Sequence, residues 1–270
     1  MLVLSLIVGC SLTGDTSGQT GDEGPDPWLA EDDDGDGLLN GDEQDLGTDP
    51  SNADSDGDSY ADNDEITVGT DPTDATSVIY EGGWPYQPDK DSFEDSNGLH
   101  LKVGNTFPRY VMEDQYGQAV DLYDFAGHGK PVVFDLSGMW CYWCNELAKL
   151  LEGDSSELSG YGWDDLGQQI ADGDFYWVTV LDGDANGELM DSKDMKKWFK
   201  EYPNPDVAAV WAPDEDGDGQ PEITKYVNPA GYPTLWLMDE NMNVIQTDSQ
   251  GDYTTTLQIL VDGNWDDYPQ

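Results

Sequence analysis

The 270 residues suffice for one ordinary domain plus further modules, and 58 Asp and Glu against 10 Lys and Arg give a formal charge of -48. A surface that tracks phosphates needs clustered Lys and Arg to displace counterions, so nucleic acid is excluded as a partner and anionic lipid surfaces are disfavoured. So many carboxylates attract cations, or suit a saline medium that screens them.

The chain opens on an apolar run, Leu2 to Val8, too short to span a bilayer and similar to the end of a secretory signal. Leu6-Ile7-Val8-Gly9-Cys10 resembles a bacterial lipobox. That resemblance implies a signal over 1–10, a lipid on Cys10 anchoring the chain to a membrane, and an extracytoplasmic place in the cell envelope, in the periplasm or as an outer-membrane lipoprotein. The run has no Lys or Arg before it, which points to a start codon further upstream. Residues 11–30 are mostly Gly, Ser, Thr and Asp and read as a flexible tether.

Residues 31–76 hold a repeat. Asp32-Asp33-Asp34-Gly35-Asp36-Gly37 returns 22 residues later as Asp54-Ser55-Asp56-Gly57-Asp58-Ser59, and Gly47-Thr48-Asp49-Pro50 returns as Gly69-Thr70-Asp71-Pro72. Oxygen side chains fall at loop positions 1, 3, 5, 9 and 12, the spacing that wraps a hard cation. The expected ligands are Asp32, Asp34, Asp36, Asn40 and Glu43, then Asp54, Asp56, Asp58, Asp62 and Glu65, with backbone carbonyls from Leu38 and Tyr60. Gly37 sits at the turn that favours glycine, where the second unit has Ser59. The units resemble the calcium-binding repeats of the thrombospondin type 3 kind, which implies Ca²⁺ in both loops, and the chain carries no signature of an organic cofactor. Intervals this short leave no room for two flanking helices per loop. Weaker echoes at 182–187 and 214–219 place a Lys where the closing carboxylate would be, so they read as solvated acidic loops.

Residues 77–98, with Pro85, Pro88 and several acids, read as a linker. From 99 to 270, apolar runs alternate with helical stretches. The pattern predicts a strand near 110–112, a turn at 114–117, a buried strand over 131–136 and a helix from Cys141 to Glu152. It continues with a strand over 175–181, a helix over 189–202, a short strand at 207–211, a hairpin of 234–238 with 244–247, and a closing helix over 253–261. This alternation indicates an α/β fold, a mixed central sheet with flanking helices.

Val103-Gly104-Asn105-Thr106-Phe107-Pro108, Asp114-Gln115-Tyr116-Gly117-Gln118, Gly129-Lys130-Pro131-Val132-Val133-Phe134 and Trp140-Cys141-Tyr142-Trp143-Cys144 together resemble the redoxin, or TlpA-like, branch of the thioredoxin superfamily. Gly231-Tyr232-Pro233-Thr234 extends the similarity, because that family has a cis-proline there facing the cysteines. The resemblance implies a thioredoxin-like fold behind the irregular calcium-repeat module, with protein thiols and disulfides as partners. Asp135, six residues before Cys141, has the spacing of the buried proton-relaying acid in thioredoxins; the competing reading is a strand-end Asp in water.

A cysteine at a helix N-terminus has its thiolate stabilised by free N–H groups and the helix dipole. Cys141 takes that place and is expected to be exposed, while Cys144, one turn in, is expected to be shielded and to resolve the mixed disulfide. A structural zinc site would need four ligands, and beyond the pair only His100 and His128 are near enough in type. Peroxidase relatives carry Thr where Gly138 stands, and copper-chaperone relatives use a wider cysteine spacing. The sequence therefore supports an extracytoplasmic thiol-disulfide oxidoreductase. The alternative is a calcium-dependent surface binding protein on a redox-inactive thioredoxin-like scaffold.

Overall fold

The computed structural model describes residues 26–93, 102–211, 223, 231–248 and 253–265. Seven strands form one sheet in the order β2-β1-β5-β4-β3-β6-β7: β1 Val111–Asp114, β2 Ala119–Asp121, β3 Val132–Ser137, β4 Tyr176–Leu181, β5 Ala208–Trp211, β6 Thr234–Met238 and β7 Val244–Thr247. The central strands β3, β4 and β5 run parallel. The β6–β7 hairpin extends the sheet antiparallel on one side and the β1–β2 hairpin on the other.

Strand β3 is buried along its whole length, as a central parallel strand covered on both faces must be. Its side chains alternate between two cores. Phe134 and Leu136 pack with Phe107, Tyr123 and Trp236 on one face; Val133 packs with Leu147, Leu150 and Leu257 on the other. That second face is covered by α3 Tyr142–Leu151, α4 Leu166–Ala171 and α6 Thr254–Asp262. Helix α5 Ser192–Glu201 seats Met195 and Trp198 against Leu181 and Ala209. A mixed α/β sheet with helices on its faces results, the thioredoxin-like architecture that the sequence resemblance implies.

The segment read as a linker behaves otherwise. Tyr80 is buried in the first core, with Val78, Trp84 and Phe93 packed against it. The Tyr80 hydroxyl donates to Asp124 at 2.7 Å, the Gln87 N–H donates to the same carboxylate at 3.1 Å, and Lys90 pairs with it at 2.6 Å. The Trp84 indole N–H donates to Asp114 at 2.9 Å, and Arg109 pairs with Asp91 and Asp121. Residues 77–93 are a strap across the sheet domain, because their aromatic rings have apolar surface to bury there.

Before the strap, each acidic loop leads into one short helix, α1 Asn40–Leu46 or α2 Asp62–Val68, ending at Gly47 or Gly69. One helix per loop agrees with intervals too short for two. The second unit touches the sheet domain where Gln118 donates to the Tyr60 hydroxyl at 3.4 Å. No helix among the described residues is long and apolar enough to cross a membrane.

Candidate active site and candidate metal loops

Strands β3 and β4 are in register to their last pair, Ser137 with Leu181, so the loops that follow them emerge side by side. The Asp182 N–H donates to the Ser137 carbonyl at 3.1 Å and the Met139 N–H to the Gly183 carbonyl at 3.0 Å. This is the carboxyl end of the parallel strands, where open α/β sheets place their sites. Cys141 is the N-cap of α3 and forms a disulfide with Cys144, with Cα atoms 5.3 Å apart. The Cys144 N–H donates to Cys141 Sγ at 3.2 Å, so a free backbone donor of the first turn already addresses the first sulfur.

Both cysteines are buried, Cys141 at 6% exposure and Cys144 at 2%. The expectation of an exposed Cys141 therefore fails in the disulfide form: the exposed surface at the motif belongs to Trp140, Tyr142 and Trp143. Cys144 shares the buried face of α3 with Leu147 and Leu151, at i+3 and i+7 spacing.

Asp135 is buried within β3, not strand-end and wet. By strand alternation it faces the same way as Val133, toward α3. Ser137 Oγ donates to it at 2.7 Å and Thr179 Oγ1 at 3.2 Å. Burial nevertheless dominates and raises its carboxyl to about 6, because the anion loses water that two hydroxyls only partly replace.

The Tyr232–Pro233 peptide is cis and directly precedes β6. The Tyr232 ring meets Trp140 edge-on, with centroids 5.1 Å apart, which brings the proline turn beside the cysteine motif. Its hydroxyl donates to Asp182, a carboxyl raised above the ordinary range chiefly by its burial. The Trp140 indole lies so close to Gly183 that a Cβ there would approach its Nε1 within 3.0 Å. The acidic echo at 182–187 thus seats Trp140, and Asp184 accepts the N–H groups of Asn186 and Glu188. The association follows from the β3–β4 register, which sets the loop after Ser137 beside the loop after Leu181, and the sequence carries no direct signal of it. The echo at 214–219 lies outside the described residues.

In the repeat module, Asp32, Asp34 and Asp36 converge with oxygens within 4.8 Å of one another, and so do Asp54, Asp56 and Asp58. Glu43 and Glu65 are buried. Both Glu43 oxygens, one oxygen of Glu65 and one each of Asp34, Asp56 and Asp58 are buried without a hydrogen-bond partner. Burial and neighbouring carboxylates push Glu43 and Glu65 up to about 7. Orphaned anionic oxygens converging in this way fit a hard divalent cation. Asn40 and Asp62 are otherwise engaged. Asn40 accepts from the Asp33 N–H and donates to the Trp28 carbonyl, while Asp62 accepts from the N–H and hydroxyl of Ser55. They brace the start of each loop. Leu38 and Tyr60 direct their N–H groups to Asp36 and Asp58.

No protein-family profile matches this sequence, and neither does any curated protein. Among solved structures, the thioredoxin domain of a thiol-disulfide oxidoreductase from Bacteroides vulgatus is 21% identical with a TM-score of 0.44, the match covering 60% of this chain and 99% of that one. A thiol-disulfide isomerase from Corynebacterium glutamicum is 15% identical at 0.43, covering 59% and 94%. An exposed lipoprotein thioredoxin from Streptococcus pneumoniae is 21% identical at 0.37, covering 56% and 98%.

Proposed function

We propose that this chain exchanges thiols and disulfides with protein partners through Cys141 and Cys144, outside the cytoplasm, and that its repeats hold calcium. The observation that carries the redox reading is the disulfide at the N-cap of α3, with a backbone N–H on its first sulfur and a buried carboxyl on the β3 face that α3 covers. In the oxidised form, a partner thiolate attacks the Cys141 sulfur. The Cys141–Cys144 bond breaks, a mixed disulfide forms and Cys144 leaves with the electron pair. A second partner thiolate then attacks the partner's own sulfur in the mixed disulfide, releasing Cys141 as a thiolate; two electrons have passed from partner to chain. Run in reverse, the same steps reduce a partner. Asp135 takes or returns the Cys144 proton, a role suited to a carboxyl raised toward neutrality. Pro233 shapes the wall on which a partner chain docks.

A disulfide suits an oxidising compartment, and a lipid on Cys10 would hold the chain there; Cys10 lies outside the described residues. Calcium would be held by Asp32, Asp34, Asp36, Glu43 and the Leu38 carbonyl in one loop and by Asp54, Asp56, Asp58, Glu65 and the Tyr60 carbonyl in the other, where it supplies the charge that the orphaned oxygens lack.

Cys144→Ser keeps the nucleophile and loses the resolver, so it should accumulate mixed disulfides with natural partners, while Cys141→Ser should trap few. Equal trapping by both variants, or a wild type inert toward scrambled disulfides at every redox poise, would leave the calcium-dependent scaffold as the better reading. Calorimetry on the full chain should give saturable calcium binding that weakens in Glu43→Gln and Glu65→Gln. Equal, non-saturating heats with magnesium and calcium would remove the metal sites. Intact mass of envelope-extracted protein tests the lipid, since an unmodified Cys10 would remove the anchor.

A further inference from the structure

The buried disulfide is bordered by large rings that water reaches, Trp140 at 47%, Tyr142 at 57% and Trp143 at 45% exposure. Scattered exposed aromatics need no explanation, but adjoining ones mark contact surface. These are held in place. Trp140 stands edge-on to Tyr232, and Tyr142 edge-on to Trp143 with centroids 5.2 Å apart.

Carboxylates flank both pairs. Asp184 and exposed Glu188 lie in the loop on which Trp140 is seated. Beyond Tyr142 are Glu146, one turn further along α3, and exposed Glu157, whose N–H donates to the Glu146 carboxylate at 2.7 Å. Glu146 is paired with Lys149 at 2.6 Å, and Lys197 is the cation that Asp184 feels; Glu157 and Glu188 have no ion pair among the described residues. Aromatic rings together with carboxylates are the pairing that receives ammonium and guanidinium groups. The charge of -48 draws cationic partners to the same place from a distance.

We propose that this rim selects partners whose reactive cysteine is flanked by Lys or Arg, a cationic side chain lying against Trp140 within reach of Glu188 or against Tyr142 within reach of Glu157. The inference rests on the thiol-disulfide reading above and names its substrate class.

The test is single-turnover reduction of the oxidised full-length chain by three dithiol peptides of one backbone, their cysteines flanked by Arg, Gln or Glu, with acid-quenched mass spectrometry as the readout. The Arg peptide should react about tenfold faster than the Gln peptide at low ionic strength, and the Glu peptide slower still, with the spread narrowing in strong salt. The ratio of Arg to Gln rates should fall in Trp140→Ala, in Tyr142→Ala and in the double variant Glu157→Gln with Glu188→Gln. Equal rates for all three peptides overturn the inference and leave the exchange reaction standing. An Arg preference undiminished in every variant assigns it to overall charge and overturns the rim. A chain that exchanges with no peptide and not with dithiothreitol overturns the thiol-disulfide reading, and this inference with it.

Discussion

Ser59 holds φ at +87°, in the turn where Gly37 stands at +107° in the first loop. An L side chain in that region costs about 1 to 2 kcal/mol, and Ser59 accepts it because its N–H donates to Asp54 at 3.0 Å. Ser59→Gly removes the clash but loosens the unfolded chain by about 0.5 to 1 kcal/mol. The net expectation is a gain of about 0.5 to 1 kcal/mol in urea unfolding, with the second loop's calcium affinity rising a few-fold in calorimetry. Asp135 gives a pH signature. Its carboxyl rises from 3.8 to about 6 on folding, so the folded state holds the proton more tightly than the unfolded one. The stability this contributes is full below about pH 4 and lost as pH climbs through about 6. Asp135→Asn stays neutral throughout. The variant should match wild type near pH 4 and exceed it by up to about 3 kcal/mol at pH 8, as the shift implies; parallel pH profiles of urea midpoints would contradict that.

Among the elements, the 77–93 strap has the clearest consequence. Asp124 is fully buried and its charge is answered by Lys90, so Lys90→Met leaves an uncompensated carboxylate. That should cost about 3 to 5 kcal/mol in denaturant unfolding at neutral pH. A fragment beginning at residue 99 should be less stable than one beginning at 77, as Tyr80 and Trp84 no longer cover the sheet. Reading those residues as a linker weighed Pro and acids over aromatic rings, and the rings decided the packing. Strands β6 and β7 were legible to their bounds from apolar runs alone, and β3 to within a residue. Others were not. Strand β2 has three residues and exists by pairing with β1. Helix α4 has six, including Gly167, and is held by Leu166 and Ile170 in the core. Helices α1 and α2, at seven residues, are too short to persist on propensity. In the site, the position of Cys141 at a helix start was readable. The seating of Trp140 on the 182–188 loop was not, because it depends on which strands become neighbours.

At the scale of the whole molecule, charge dominates. With -48 on 270 residues, self-repulsion opposes compactness and weakens as ions screen it. Melting temperature in chelator should climb steadily with sodium chloride. Calcium should produce a comparable rise at far lower ionic strength and then level off, since it fills sites instead of screening. A flat response to both would mean that the carboxylates are spaced widely enough not to matter.

The N–H of Asn63, in the first turn of α2, donates to Asp36 of the first loop at 3.1 Å, and its side chain reaches the Asp36 carbonyl at 3.3 Å. The first loop therefore leans on the second unit, and the second unit meets the sheet domain at Gln118. These contacts are in series, so a molecule stretched from Asp26 carries the same tension through each of them and the weaker ones yield first. In an optical trap both loops should yield before the sheet, giving two short extensions ahead of a long one. Chelation should merge or abolish the short pair while leaving the long event in place. Such a module would act as a shock absorber whose stiffness is set by the ion concentration around it.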